Sequence, residues 1–494
     1  MAERTLVTFD YGATSGRAIL GKYDGSRLTI EEYHRFDNQP VMVNGHLYWD
    51  ILRLFHELKQ GLNNISRAGI HEVDSIGVDT WGVDVALLDK DGMLLNNPFH
   101  YRDTMTDGAM EKVFANVSAE EIYKRTGIQF IKFNTLFQLA TMKEKFPRLL
   151  NDAETMLFIP DYLNFLLTGV KSSEFSIVST SQMYNLEKKD WDYELLEKLG
   201  IPTKMLQPIT PGGTVLGDIL PEIANETGVT GKCISVCGHD TGSAVLAVPM
   251  EKGEKCAYLS CGTWSLLGIE LEEPVVNDLA FDAQYTNEGG YNGTVRFLKN
   301  IMGLWVYTEI KREFERKFGK ADYKTLDAEV NAAPALKSLI DPDDDRFMTP
   351  GNMTKKITDY CIETDQPVPQ SRGEFLRCAL ESLALKYRVA IENCEKVVGY
   401  RLPILRVLGG GTKDKQLMRY TCNAIQRPVI AGPVEATAIG NMAAQLLALG
   451  EAKDRWEARE IVARSFPTER YEPEDADLWE ETYQRFMKLC AASE

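Results

Sequence analysis

The stretch Asp10-Tyr11-Gly12-Ala13-Thr14-Ser15-Gly16-Arg17-Ala18-Ile19 constrains this chain more than any other. Apolar runs flank its centre, Leu6–Phe9 before and Ala18–Leu20 after, so it reads as the turn of a β-hairpin. Gly12, Ala13 and Gly16 leave the backbone bare enough for N–H groups to approach an anion. Thr14 and Ser15 add hydroxyls, Arg17 a fixed positive charge, and Asp10 a carboxylate able to hold a divalent cation. The second half carries an echo, Leu259-Ser260-Cys261-Gly262-Thr263-Trp264-Ser265-Leu266-Leu267. One such turn per half points to a duplicated fold that grips a polyphosphate from both sides.

The surrounding order of elements supports duplication. Strands are predicted at about 5–10, 17–22 and 28–35, then a helix from Trp49 to Ala68 with Leu52, Leu54, Phe55, Leu58 and Leu62 on its apolar side. A fourth strand, Ser75-Ile76-Gly77-Val78-Asp79, ends in a carboxylate. Three strands, a helix and another strand open a ribonuclease-H-like unit. The second half repeats the order with insertions: a hairpin over 256–260 and 265–270, and a long helix from Glu374 to Val398 stopped by Gly399. A strand over Ile404–Leu408 then runs into Gly409-Gly410-Gly411. Another near Pro428–Ile430 precedes a helix over Glu435–Leu449, and a last helix is expected after Pro467. A chain of 494 residues is too long for one core, so the α/β fold divides into two domains, 1–249 and 250–494.

Composition removes several function classes. A net charge of −17 argues against nucleic acid or an anionic membrane as partner. Nine cysteines without a C-x-x-C or His/Cys cluster argue against zinc and a disulfide scaffold. With no signal-like start and no apolar run of membrane-spanning length, the expected location is cytoplasmic. The acidic run Asp341–Asp345 reads as a solvated loop, since Arg346 stands where a calcium loop needs Gly. Thr230-Gly231-Lys232 is no P-loop, because Glu226 occupies the required Gly position.

Two further stretches carry chemistry. Gly238-His239-Asp240-Thr241-Gly242 follows the apolar Ile234-Ser235-Val236 and precedes a helical Ser243–Ala247. Asp240 is thereby placed just past a strand end, where α/β folds collect their reactive groups, either as a general base or as a helix cap. Asp79-Thr80-Trp81-Gly82-Val83-Asp84 sets an aromatic ring among acids, the makings of a sugar pocket or of a core Trp with turn acids.

Taken together, these residues resemble the FGGY family of carbohydrate kinases, which shares the fold of actin and hexokinase. The resemblance runs from about residue 5 to 450. It is carried by DYGATSGR, GVDTWGVDVALLD, YRDTMTDG, FNTLFQL, PDYLNFLLTG, GHDTGSAV, YLSCGTWSL, NEGG, LKNIMGLW, PDDDRF and GPVEATAIGN in that order. Phe133–Gln138 departs from the Lys-x-x-Trp pattern of many members, which favours the branch acting on L-rhamnulose over glycerol or xylulose kinases.

The resemblance implies two ribonuclease-H-like domains flanking a nucleotide cleft, and ATP with one Mg²⁺ as cofactors. Ala13, Thr14, Ser15, Gly16, Arg17, Thr263, Thr308 and Gly410 would line the ATP site, although Thr308 stands where some members have Gln. Gly82, His239, Thr241 and Asn300 would contact the sugar, beside the Trp81 and Asp84 already read as sugar-pocket candidates, Asp240 would be the base, and Asp10 would lie near the metal. The implied reaction is phosphorylation of L-rhamnulose at its C1 hydroxyl, with no obligate protein partner. The alternatives are another FGGY ketose kinase, of the L-fuculose or xylulose type, and a non-metabolic actin-like ATPase module.

Overall fold

A computed structural model describes residues 3–491. The chain forms two compact units. One takes the residues up to Lys252 together with Glu270–Phe297 and Ala436–Phe466; the other takes Gly253–Ile269, Leu298–Glu435 and the residues from Pro467 on.

In the first unit, β1 (Arg4–Tyr11), β2 (Ser15–Tyr23) and β3 (Leu28–Asp37) form an antiparallel meander. Helix α1 (Ile51–Arg67) then returns the chain to β4 (Glu72–Thr80), which lies parallel to β1. Asp50 caps α1 at its N-terminus. Ile51, Leu54, Leu58, Leu62 and Ile65 face the core at helical spacing, joining Phe9, Leu20 and Val78 of the sheet. Leu52 does not belong to that face; it is 62% exposed, because its position in the turn points away from the sheet. Gly61 brings α1 onto the sheet, since a Cβ there would stand 2.6 Å from Ala18 Cβ and 2.9 Å from Phe9. With β5 (Thr214–Asp218) and β6 (Thr230–Ser235) the sheet order is β5-β6-β4-β1-β2-β3, with β6 parallel to β4. Beyond β6 the chain turns into α2 (Asp240–Leu246), which starts earlier than the sequence pattern indicates and has Asp240 as its first residue.

The second unit repeats this plan. Strands β7 (Ala257–Cys261), β8 (Trp264–Leu271) and β9 (Val295–Met302) come first, then helices including α3 (Trp305–Phe318) and α4 (Arg372–Val398). Gly399 closes α4 in the left-handed conformation at φ 76°. The run Asp341–Asp345 is anchored rather than solvated. Asp341 is buried and accepts from Lys386 Nζ at 2.8 Å, and Asp343 accepts from Met302 N at 2.8 Å. Lys386 on α4 supplies the charge that makes this acidic segment stable indoors. With β10 (Leu405–Leu408), β11 (Val429–Ala431) and β12 (Glu469–Tyr471), six strands run in the order β9-β8-β7-β10-β11-β12, and a seventh, Thr286–Gly289, pairs outside β9. The chain returns to the first unit through α5 (Ala436–Ala448). Gly440 of α5 lies so close to α2 that a Cβ would come within 1.7 Å of Ser243 O. The expected last helix is present as Ala476–Ala491. No helix among the described residues is long and apolar enough to cross a membrane.

Candidate active site

The parallel strands of the first unit, β1, β4 and β6, finish on one edge of the sheet. Three carboxylates stand at their ends: Asp10 on β1, Asp79 on β4, and Asp240 beyond β6. Ligands gather at such carboxyl-terminal edges because the loops there leave the sheet together.

Asp10 sits directly opposite Arg17 on β2 and directly beside Asp79 on β4. The Arg17 guanidinium donates to Asp10 Oδ2, which fixes both side chains at the base of the turn. Burial, the neighbouring Asp10 and the more weakly acting Asp240 push the Asp79 carboxyl well above its ordinary range; Asn441 and Arg17 act against them. Asn441 Nδ2 donates to Asp79 Oδ2 at 2.5 Å, and Asn441 Oδ1 accepts from Thr8 Oγ1 at 3.0 Å and Gln445 Nε2 at 2.7 Å. This polar ladder on α5 needs Gly77, whose Cβ would stand 2.4 Å from Asn441 Oδ1. Asp79 Oδ1 is buried without a hydrogen-bond partner.

The turn itself is held from one side. Gly12 N donates to Ser15 O at 3.0 Å, Asn38 N to Thr14 O at 3.0 Å, and Asn38 Nδ2 to Gly12 O at 2.9 Å. Thr14 is exposed at the tip. Gly16 has a packing reason to be small: a Cβ would meet the Phe36 ring at 2.2 Å and Tyr11 at 2.9 Å.

Asp240 keeps 29% of its side chain exposed, whereas the flanking His239 and Thr241 are buried. Its Oδ1 accepts from Thr241 N at 2.5 Å and Thr241 Oγ1 at 3.1 Å. The backbone before it is pinned by a buried carboxylate: Glu174 Oε2 accepts from Gly238 N at 2.9 Å. Thr80 N donates to Gly238 O at 2.9 Å, tying the ends of β4 and β6 together.

The Trp81–Asp84 segment is built differently from an open pocket wall. Asp84 is buried, and its Oδ2 accepts from Trp49 Nε1 at 2.6 Å, Trp81 Nε1 at 3.0 Å and Tyr101 N at 3.2 Å. Its Oδ1 accepts from Gln138 Nε2 at 2.8 Å. Burial pushes the Asp84 carboxyl up to about 7 even though these donors pull it down. The Trp81 ring is 5% exposed and lies on Trp49 with centroids 3.9 Å apart. Between them Val83 sits at φ 68°, a conformation that costs a β-branched residue about 1–3 kcal/mol. Hydrogen bonds overdetermine it: Val83 N donates to Thr180 Oγ1 at 3.1 Å and Val83 O accepts from Thr135 Oγ1 at 2.6 Å. Gly82 remains bare, and a Cβ there would stand 3.4 Å from His239 Nε2.

In the second unit, the corresponding edge carries glycines. Gly262 N donates to Trp264 O at 2.9 Å, leaving Thr263 exposed at the tip of the β7–β8 turn. Gly303 packs under that turn, where a Cβ would come within 2.8 Å of Gly262 O. Thr308 lies in the first turn of α3, half-buried, and Asn300 lies on β9. Gly409, at φ 84°, passes Cys261 O, and Gly410 is exposed with nothing near its Cβ position.

The sequence alone marks no role for Glu288, Arg296 or Asn441. Glu288 belongs to the NEGG stretch and Asn441 to GPVEATAIGN, where the family pattern names neither by itself, and Arg296 lies in a strand whose neighbours carry no chemical signal.

The fold is of the duplicated ribonuclease-H-like class, and its first unit gathers three carboxylates at one edge of the sheet. The FGGY carbohydrate kinase N-terminal domain matches residues 5–247 and its C-terminal domain residues 257–449, so the chain belongs to the FGGY family of carbohydrate kinases. It is 44% identical to a rhamnulokinase of Oceanobacillus iheyensis over 462 residues, covering 94% of this chain and 97% of that one. It is 42% identical to a rhamnulokinase of Bacteroides thetaiotaomicron over 482 residues, covering 97% and 98%. Among solved structures, the fold resembles a ligand-bound xylulose kinase from Lactobacillus acidophilus with a TM-score of 0.82 at 16% identity, covering 99% and 98%.

Proposed function

We propose that the protein transfers the γ-phosphoryl group of ATP to the C1 hydroxyl of L-rhamnulose. Relatives of that name at 42–44% identity over nearly the whole chain support the substrate. The observation that carries the chemistry is the partly exposed Asp240 carboxylate, held at the edge that also presents Asp10 and Arg17.

Phosphoryl transfer asks a protein for alignment and for charge neutralisation more than for covalent chemistry. Asp240 accepts the hydroxyl proton as the oxygen attacks. Its remaining hydrogen bonds come from Thr241, a neighbour that orients it without neutralising it. Gly82, His239, Thr241 and Asn300 are assigned to the sugar. Trp81 and Asp84 shape the same wall from behind, through the network just described. The turn Ala13–Arg17 is assigned to phosphate, and Thr263, Thr308 and Gly410 to ATP.

Asp10 and Asp79 fit a hard divalent cation: they are neighbouring carboxylates, and the buried Asp79 Oδ1 has no other partner. Mg²⁺, when bound there, would neutralise phosphate oxygens. The test is a coupled ADP-release assay over L-rhamnulose, L-fuculose, D-xylulose and glycerol. The reading expects L-rhamnulose to give the highest kcat/KM; a higher value for any of the others would overturn the substrate.

A further inference from the structure

His239 lies between two charges that ask opposite things of its ring. Arg296 Nη2 stands 3.0 Å from Nδ1, and Glu288 Oε2 stands 3.2 Å from the same nitrogen. A guanidinium only donates, so the first contact requires a bare Nδ1 and a proton on Nε2; the second would favour a protonated Nδ1.

The surroundings decide between them. Arg296 is fully buried, with Nε donating to Gly289 O at 2.8 Å. Its Nη1 stands 3.2 Å from Glu288 Oε2. A cation so buried needs that carboxylate, and a protonated imidazole would set a second positive charge beside it. Although burial opposes ionisation of Glu288, the charge of Arg296 acts first among the influences that hold its carboxyl below the usual range, so the charge that balances Arg296 is present. Donation from Arg296 into Nδ1 also meets hydrogen-bond geometry, whereas Glu288 Oε2 has no aligned donor.

The far nitrogen, Nε2, stands 3.5 Å from Asp240 Oδ1 and faces the bare Gly82. We propose that Arg296 is a positioning residue which, neutralised by Glu288, holds His239 as the neutral Nε2–H tautomer, so that the imidazole donates a hydrogen bond to the sugar beside Asp240. The proposal rests on Asp240 being the base. A bare Nε2 would be a second acceptor next to Asp240 and would draw the hydroxyl proton the wrong way. With Nε2 protonated, the hydroxyl hydrogen has the Asp240 carboxylate as its acceptor.

The first measurement uses the wild-type chain without ligand. Two-bond ¹H–¹⁵N spectra of protein labelled at histidine nitrogen, with His239 assigned through His239→Gln, should show an unprotonated Nδ1 and a protonated Nε2. A protonated Nδ1 would overturn the proposal. The second is a kinetic cycle. Arg296→Lys should lower kcat for the ketose by about tenfold to a hundredfold while KM for ATP stays within about threefold. In the His239→Gln background, where an amide has no tautomer, the same change should cost less than about threefold. An equal loss in both backgrounds would make Arg296 merely structural and overturn the proposal. Should Arg296→Lys fail to fold, Arg296→Met with Glu288→Met removes both buried charges together and serves in the same cycle. The tautomer spectrum does not depend on turnover, so a protein that shows Nε2–H but ignores every ketose would refute the kinase substrate and not the tautomer.

Discussion

The two units share six strands in one order, β5-β6-β4-β1-β2-β3 in the first and β12-β11-β10-β7-β8-β9 in the second, yet their edges differ in chemistry. In both, a hairpin's first strand runs parallel to the strand behind it, β1 to β4 and β7 to β10. Asp10, Arg17 and Asp79 occupy in the first unit the positions that Ser260, Leu266 and Leu408 occupy in the second. Where the first unit presents charge, the second presents backbone at Gly262 and Gly409–Gly411. A duplicated sheet repeats its hydrogen-bond pattern and its apolar layers, while single positions at strand ends diverge freely because the fold does not depend on them.

Charge at the first edge depends on support that the second edge does without, and this can be broken at its root. Gly440→Ala forces a Cβ to within 1.7 Å of a backbone oxygen, so α5 must leave α2 and with it the Asn441 ladder under Asp79. We expect a loss of about 4 kcal/mol or more in urea unfolding. Asp84→Ala should follow at about 3 kcal/mol, because two buried indole N–H groups and a backbone N–H lose their acceptor. Thermal unfolding with intact secondary structure at low temperature would register it. In a matched pair of variants, Asp10→Asn should lower kcat/KM about a hundredfold, roughly 2.7 kcal/mol, and Ser260→Ala less than about threefold. Equal losses in the pair would mean that the two edges do the same work.

Much of this was legible in the sequence. Apolar runs ending at Asp10 and Asp79, and a strand followed by Gly238-His239-Asp240, put these carboxylates at strand ends because strand ends and turn residues are local signals. The long helix ending at Gly399 was equally plain. What stayed hidden depended on partners distant in the chain. Asp84 looked like a sugar acceptor until Trp49, Tyr101 and Gln138 came in from other segments to surround it. Asp341–Asp345 looked solvated because Lys386 lies on a different helix. Leu52 shares its residue type with the core leucines of α1 but not their face, and Arg296 in an apolar strand carries no mark of the histidine it meets.

The carboxylate of Asp240, set among its neighbours at the first edge, is proposed as the base for phosphoryl transfer. Steady-state turnover of L-rhamnulose by Asp240→Asn, measured beside ATP binding and the unfolding midpoint, tests it most directly. We expect a loss of about 10²–10⁴ in kcat with ATP affinity and stability unchanged, whereas turnover near that of the wild type would rule out Asp240 as the base.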